Sequence, residues 1–236
     1  MESPVEPKWT LDPTLVPIID TPLGFPVRRV YCVGRNYVDH ILEMKEGDER
    51  DDPFFFQKPA DAVALNGAEI AYPAATDDFQ FEGELVVAIG ARLRNGTPDD
   101  AMASVFGFAA GIDLTRRDLQ RDSVTRARPW EPGKSFDQSA PCGPIVPRDQ
   151  VLDIQGATLT LDVNGQQRQR TDLNLMIWSV PEVVARLSQL YTLEPGDLIF
   201  TGTPAGVSAI TPGDTVTVQI SELPSLSIVI TKGEES

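Results

Sequence analysis

Histidine is almost missing from this sequence: His40 is the only one among 236 residues. Its scarcity excludes HExxH metalloprotease sites, histidine-cluster zinc sites and two-histidine facial triads. Cysteine is nearly as rare. Cys32 and Cys142 are the only two, which excludes a disulfide scaffold, a zinc finger and a four-thiolate iron–sulfur site. Cys142 has no histidine near it in sequence, so a Cys–His nucleophile is disfavoured. Positive charge is short as well. Twenty basic residues face 35 acidic ones, for a formal net charge of −15. A field of that sign repels nucleic-acid phosphates and anionic lipid, so neither is an expected partner. No apolar run approaches 18 residues, and the opening MESPVEPKWT lacks a basic region followed by an apolar one. The expectation is a soluble, cytoplasmic protein.

What is present fits one substantial domain. A chain of this length buries roughly 70% of its extended surface and needs no cross-link to hold together. Asp outnumbers Glu by 21 to 14 and Arg outnumbers Lys by 15 to 5, a composition that points to a solvated acidic surface suited to high salt. Residues 1–24 carry prolines at 4, 7, 13, 17 and 22 and read as an extended arm. A single catalytic domain is expected over 25–231, with 232–236 a frayed tail.

Strand-like runs cover 30–33, 54–56, 85–89, 105–112, 198–200, 215–220 and 226–230. Residues 158–163 alternate, Asn164-Gly165 follows, and 166–170 runs on, which is the strongest hairpin signal in the chain. Helix starts are fewer. Ser179 and Glu182 form a capping box before a stripe of Val183, Val184, Leu187 and Leu190. Thr97 precedes Pro98, Asp99 and Asp100, and Asn36 is placed to cap a short helix through Glu43. With no βαβ rhythm, the fold class is mostly β, or α+β, with a few peripheral helices.

With one histidine, any metal must be held mainly by oxygen, which points to Mg²⁺, Mn²⁺ or Ca²⁺. Glu82 and Glu84 are two apart, so on a strand both face one way, at the lip of an apolar run. Asp113 ends the run GFAAGI and could join them. On spacing alone, a solvated edge pair with a loop cap is the commoner reading of such a string. His40 and Glu43 are three apart and share a helix face, as a water-activating pair or as surface neighbours. Lys134 lies in PGKSFD, but residue 128 is arginine where a phosphate loop needs glycine, so a nucleotide site is rejected. Lys134 and Lys58 could instead meet an anionic substrate, as could Arg116, Arg117 and Gln120. Gly202-Thr203-Pro204 with Gly206 is a tight loop able to grip a carboxylate.

The blocks YCVGRNYVDHILEM (31–44), FFFQKPAD (54–61), FEGELVVAIG (81–90), GIDLTRRDLQ (111–120), RPWEPGKSFDQSAPCGP (128–144), LDVNGQQRQ (161–169) and LEPGDLIFTGTPAGV (193–207) fall in order over nearly all of 27–230. Together they resemble the fumarylacetoacetate hydrolase family. The resemblance implies a mixed β-sandwich roll and a homodimer. It also implies metal-dependent hydrolysis of a C–C bond in a 2,4-dioxo acid, here 3-fumarylpyruvate in gentisate-type aromatic degradation. The alternative on the same site is an oxaloacetate decarboxylase or a 2-hydroxymuconate-type diacid isomerase or decarboxylase. Carried over by motif, Glu82, Glu84 and Asp113 match the ligands of Mg²⁺ or Mn²⁺. His40 and Glu43 match a water-activating dyad and Lys134 the lysine beside the metal. Arg117, Gln120 and Thr203 match substrate-facing positions, as does Lys58 of the KP motif. Relatives usually carry histidine before the first metal glutamate. Here the string is Phe79-Gln80-Phe81-Glu82, which offers Gln80 as a substitute.

Overall fold

The computed structural model describes residues 8–44 and 51–233. Pro4, Pro7 and the tail from 234 lie outside these. Two sheets dominate. The large one runs, in spatial order, Phe54–Lys58, Arg29–Gly34, Asp197–Phe200, Gly83–Ile89, Val105–Ile112, Ala140–Cys142 and Val63–Leu65, with Val146–Pro147 pairing off Val105–Ile112. The smaller one is Gln166–Asp172, Thr158–Val163, Thr215–Ile220, Leu226–Thr231 and Glu69–Ala71. Both mix parallel and antiparallel pairs. This is a mixed α+β fold built on a curled sheet with peripheral helices, in agreement with the sequence.

The strand Gly83–Ile89 shows why its sequence is apolar without alternation. Every residue in it is buried. Leu85, Val87 and Ile89 enter the main core, where they meet Leu159, Leu161, Val216 and Val218 of the small sheet. Val86 and Ala88 face the other way, into a second core with Val30, Cys32, Leu198 and Phe200. A strand covered on both faces has no use for a polar side. Each fully buried Val or Leu there contributes about 1.5–3 kcal/mol.

The hairpin forms as expected between Thr158–Val163 and Gln166–Asp172. Its register slips between Leu161 and Asp162, and beyond the slip Gln169 is buried while Gln166, Gln167 and Arg168 stay exposed. The helices Pro98–Ser104 and Val180–Leu190 start at the boxes of Thr97 with Asp100 and Ser179 with Glu182.

Four readings change. Asn36 does not cap the helix Val38–Met44. Its buried amide instead donates to the Trp178 and Thr201 carbonyls and accepts from the Trp178 N–H. Leu190 leaves the apolar stripe and is exposed at the last turn, while Val183, Val184 and Leu187 are buried. The proline-rich stretch is extended, but Leu15–Pro17 pairs with Gly24–Pro26, and Val16 and Phe25 join the second core. Arg117–Thr125 and Glu131–Lys134 are helices with no apolar stripe to announce them.

Candidate metal centre and active site

Glu82 and Glu84 flank Gly83 at the start of the central strand, and Asp113 follows the neighbouring strand Val105–Ile112. The pairing of Gly83 with Ile112, and the Asp113 N–H bond to the Glu82 carbonyl at 2.8 Å, bring the two chain segments together. One oxygen from each of the three carboxylates lies within 4.8 Å of the others, and all three residues are buried. Burial, with Asp113 and Glu82 alongside, pushes the Glu84 carboxyl well above its usual range. Only oxygen donors, crowded like charges and exclusion from water are the features that fit a hard divalent cation.

Three basic groups back these acids. Lys134 Nζ donates to Glu82 Oε2 at 2.7 Å, Asp113 Oδ2 at 2.9 Å and Thr115 Oγ1 at 2.8 Å, which uses all three of its N–H groups. Lys58 Nζ pairs with Asp113 Oδ1 at 2.8 Å and donates to the Lys134 carbonyl. It is therefore a buried ion-pair partner and not a strand-end lysine reaching for water. Arg117 forks three ways, to Glu82 Oε1 at 2.5 Å, Gln80 Oε1 at 2.8 Å and Gln120 Oε1 at 2.5 Å. Burial alone would raise the Glu82 carboxyl, but Lys134 and Arg117, with His40, hold it well below the usual range. Burial likewise opposes the charge on Lys134, and Asp113 and Glu82 outweigh it, so its pKa rises.

Gln80 lies two residues before Glu82. It holds Arg117, which in turn holds Glu82, and its amide nitrogen donates to Asp78 Oδ1 at 2.8 Å. Its influence on the acid is thus one residue removed. Arg116 is not part of this cluster: it stacks 4.2 Å from the Phe136 ring centroid.

His40 and Glu43 share a face of Val38–Met44, with Nδ1 3.5 Å from Glu43 Oε2 and no hydrogen bond made by that nitrogen. His40 is buried, and burial lowers its pKa below the ordinary value, against a weaker opposite pull from Glu82. The Glu43 carboxylate accepts from the Gly206 N–H at 3.1 and 3.3 Å. The loop 202–206 therefore grips carboxylates of the protein itself, because Gly202 N–H also donates to Glu84 Oε2 at 2.7 Å. Gly202 has φ +97°, with Asn36 Cβ 2.8 Å from where a side chain would begin. Only glycine suits both demands. Thr203 Oγ1 donates to the Gly83 carbonyl at 3.0 Å and accepts from Gln169 Nε2 at 2.8 Å.

One cavity open to solvent is lined by His40, Glu82, Glu84, Lys134, Arg117 and Thr203 together. Gln120 also borders it, whereas Asp113, Lys58 and Glu43 act on it from behind or from the side. Sequence reasoning missed Gln169, Thr115 and the aromatic wall of Phe54, Phe56 and Trp130. The signal for Gln169 was a polar residue in register with buried Leu161.

A profile of the fumarylacetoacetate (FAA) hydrolase C-terminal family matches residues 29–231. The chain belongs to that family. A fumarylpyruvate hydrolase of a Ralstonia species is 40% identical over 184 residues, 78% of this chain and 95% of that protein. A human mitochondrial oxaloacetate tautomerase is 38% identical over 207 residues, 88% of this chain and 93% of its own length. The crystal structure of fumarylpyruvate hydrolase from Pseudomonas aeruginosa, in complex with Mn²⁺ and pyruvate, superposes with a TM-score of 0.94 at 45% identity, covering 96% of this chain and 100% of that one. Among the described residues, no helix is long and apolar enough to cross a membrane.

Proposed function

We propose that this protein is a metal-dependent acylpyruvate hydrolase that cleaves 3-fumarylpyruvate, with water, to fumarate and pyruvate. The observation that carries this reading is the buried trio Glu82, Glu84 and Asp113, of which Glu82 and Glu84 open onto the same cavity as His40. The likeness to the Pseudomonas enzyme holding Mn²⁺ and pyruvate supports it. Glu82, Glu84 and Asp113 would hold Mg²⁺ or Mn²⁺. When bound, that cation supplies Lewis-acid polarisation of the 2-oxo group and stabilises charge on the departing pyruvate enolate.

The residues of the chain do the rest. Glu43 takes a proton from water, with the neutral His40 imidazole orienting it. The hydroxide attacks the C4 carbonyl, the C3–C4 bond breaks with its electron pair going to the pyruvyl half, and a proton then returns to C3 to give pyruvate. Lys134 keeps positive charge beside the reacting centre and orients Glu82 and Asp113. Arg117 and Gln120 border the substrate side, and the Thr203 backbone N–H offers a donor for the pyruvyl carboxylate, those of Gly202 and Gly206 being held by Glu84 and Glu43. The Thr203 hydroxyl is already committed to Gly83. Lys58 fixes Asp113. A single catalytic unit over 25–231, a homodimer and a cytoplasmic setting belong to the same reading, and sedimentation tests the dimer.

The test is the ultraviolet absorbance of fumarylpyruvate with purified protein, with and without Mg²⁺ or Mn²⁺. Metal-dependent bleaching that yields one pyruvate and one fumarate per substrate is expected. No bleaching with metal bound would sink the reading. A second reading is tautomerisation of oxaloacetate, favoured by the human relative's name, or its decarboxylation on the same site. Carbon dioxide release, or faster enol–keto exchange without cleavage, would select it.

A further inference from the structure

The three candidate ligands are not supported alike. Lys134 and Arg117 pair with Glu82, and Lys134 and Lys58 pair with Asp113. Among the described residues no lysine or arginine pairs with Glu84, whose carboxylate is held by the Gly202 N–H at 2.7 Å. A carboxylate that ligates a metal is itself hydrogen-bonded from outside, and that partner fixes its direction. One backbone N–H is thin support for the acid whose charge is opposed by burial, by Asp113 and by Glu82 together.

A spare donor stands near it. Tyr37 is 3% exposed, and its hydroxyl makes no hydrogen bond. Among the described residues it is the one side-chain hydroxyl that is both buried and unpaired. Leaving such a group without a partner costs stability and is rare, so it asks for a reason. The backbone on which it stands is firmly held. Tyr37 bridges to Met176, and its neighbour Asn36 exchanges hydrogen bonds with Trp178 and donates to the Thr201 carbonyl. Asn36 also packs on Gly202, where a Cβ would stand 2.8 Å from its own. Gly202 is the residue that holds Glu84. Tyr37 is thus anchored one residue away from the support of that carboxylate. Burial, and after it the Glu84 charge, push the Tyr37 hydroxyl above its ordinary pKa, so it keeps its proton and can act only as a neutral group.

We propose that Tyr37 is a positioning residue of the metal centre, its hydroxyl becoming the second hydrogen-bond donor to the Glu84 carboxylate when Glu84 holds a cation. A hydroxyl adds a donor without adding charge. That suits a cluster in which three acids already face the three bases Lys58, Lys134 and Arg117. The inference rests on the metal-binding reading above and goes beyond it, because it assigns a role to a residue outside the ligands and the substrate side.

Tyr37→Phe tests this, since it removes the hydroxyl and leaves the ring. Calorimetric titration of the metal-free protein with Mn²⁺ should show an affinity roughly 10- to 100-fold below that of wild type, the usual effect of losing such a partner. Urea unfolding of the metal-free variant should show it as stable as wild type or more so, because an unpaired buried hydroxyl has gone. Mg²⁺ should shift the near-ultraviolet tyrosine absorbance of wild type, and the shift should vanish in the variant. Wild-type Mn²⁺ affinity in Tyr37→Phe would overturn the assignment, as would an absorbance shift that persists there. A loss of affinity matched by a loss of metal-free stability would also overturn it, since that is the mark of a packing role. If wild type binds neither cation, the metal reading fails and takes the role of Tyr37 with it. If wild type and variant bind equally well, Tyr37 alone is dismissed.

Discussion

The Gln169 amide donates to Thr203 Oγ1 at 2.8 Å and, through its oxygen, accepts from the Gly83 N–H at 2.9 Å. One side chain from the small sheet thereby ties the acid-bearing strand to the 202–206 loop, with the Pro204 carbonyl as a third partner at 2.8 Å. Gln169→Leu would strand these buried polar groups, at about 1–3 kcal/mol for each one left unsatisfied. Urea unfolding should show a loss of about 2–4 kcal/mol, with a fall in kcat/KM. Gln169→Glu keeps the acceptor for Gly83 but turns two donors into acceptors, and should lose activity too. Wild-type kcat/KM in both variants would remove Gln169 from the site's framework.

The roles of Glu43 and Glu82 separate by binding. Glu43→Gln should bind metal and pyruvate as wild type does while hydrolysis falls on the order of 10²- to 10⁴-fold, the span of a lost general base. Glu82→Gln, which spares the packing better than alanine, should instead weaken metal binding in calorimetry. An active Glu43→Gln enzyme would dismiss that base, and undiminished metal affinity in Glu82→Gln would dismiss that ligand.

Metal binding should release a proton. The Glu84 carboxyl is raised by burial and by Asp113 and Glu82, so it holds a proton above the ordinary carboxylate range until a cation takes that proton's place. Binding enthalpies measured at one pH in buffers of different ionisation heat should therefore differ. Identical enthalpies would mean that Glu84 is already ionised.

His40 carries a pH signature of the opposite kind. Burial lowers its pKa, so in the folded protein it is neutral where an unfolded histidine, near 6.5, begins to charge. The unfolded chain then binds more protons, and stability falls as pH drops from about 6.5 through the lowered folded value. His40→Gln should flatten that slope in urea titrations. With the neutral imidazole as the working form in the proposed mechanism, the acid limb of kcat/KM should lie below pH 6.5. A limb above 7 would contradict it.

Much of the fold was legible because it follows rules of period and turn. The hairpin at Asn164-Gly165, the capping boxes and the apolar strands all formed where the pattern put them. Helix Arg117–Thr125 did not announce itself, and the reason is physical. Its buried residues are Arg117, Gln120 and Ser123, so the stripe it turns inward is polar. A helix that faces a charged site has no apolar face to read. Asn36 misled for a related cause: a side chain suited to capping found backbone partners at Trp178 and Thr201, far away in sequence. The candidate ligands were visible as a pair with shared direction, but only pairing between two strands brought Asp113 to them.

The clasp between Glu43 and Gly206 joins two parts of unequal durability. The acids stand on a strand buried on both faces, whose amides should exchange hydrogen only when the whole molecule unfolds. His40 and Glu43 ride on a seven-residue helix, shorter than the roughly 12–15 residues a helix needs to persist alone. Its amides should exchange far sooner, by local opening. The half that holds the three carboxylates can therefore stay assembled while the half proposed to handle water lets go, which would give product a way out that leaves those carboxylates in place.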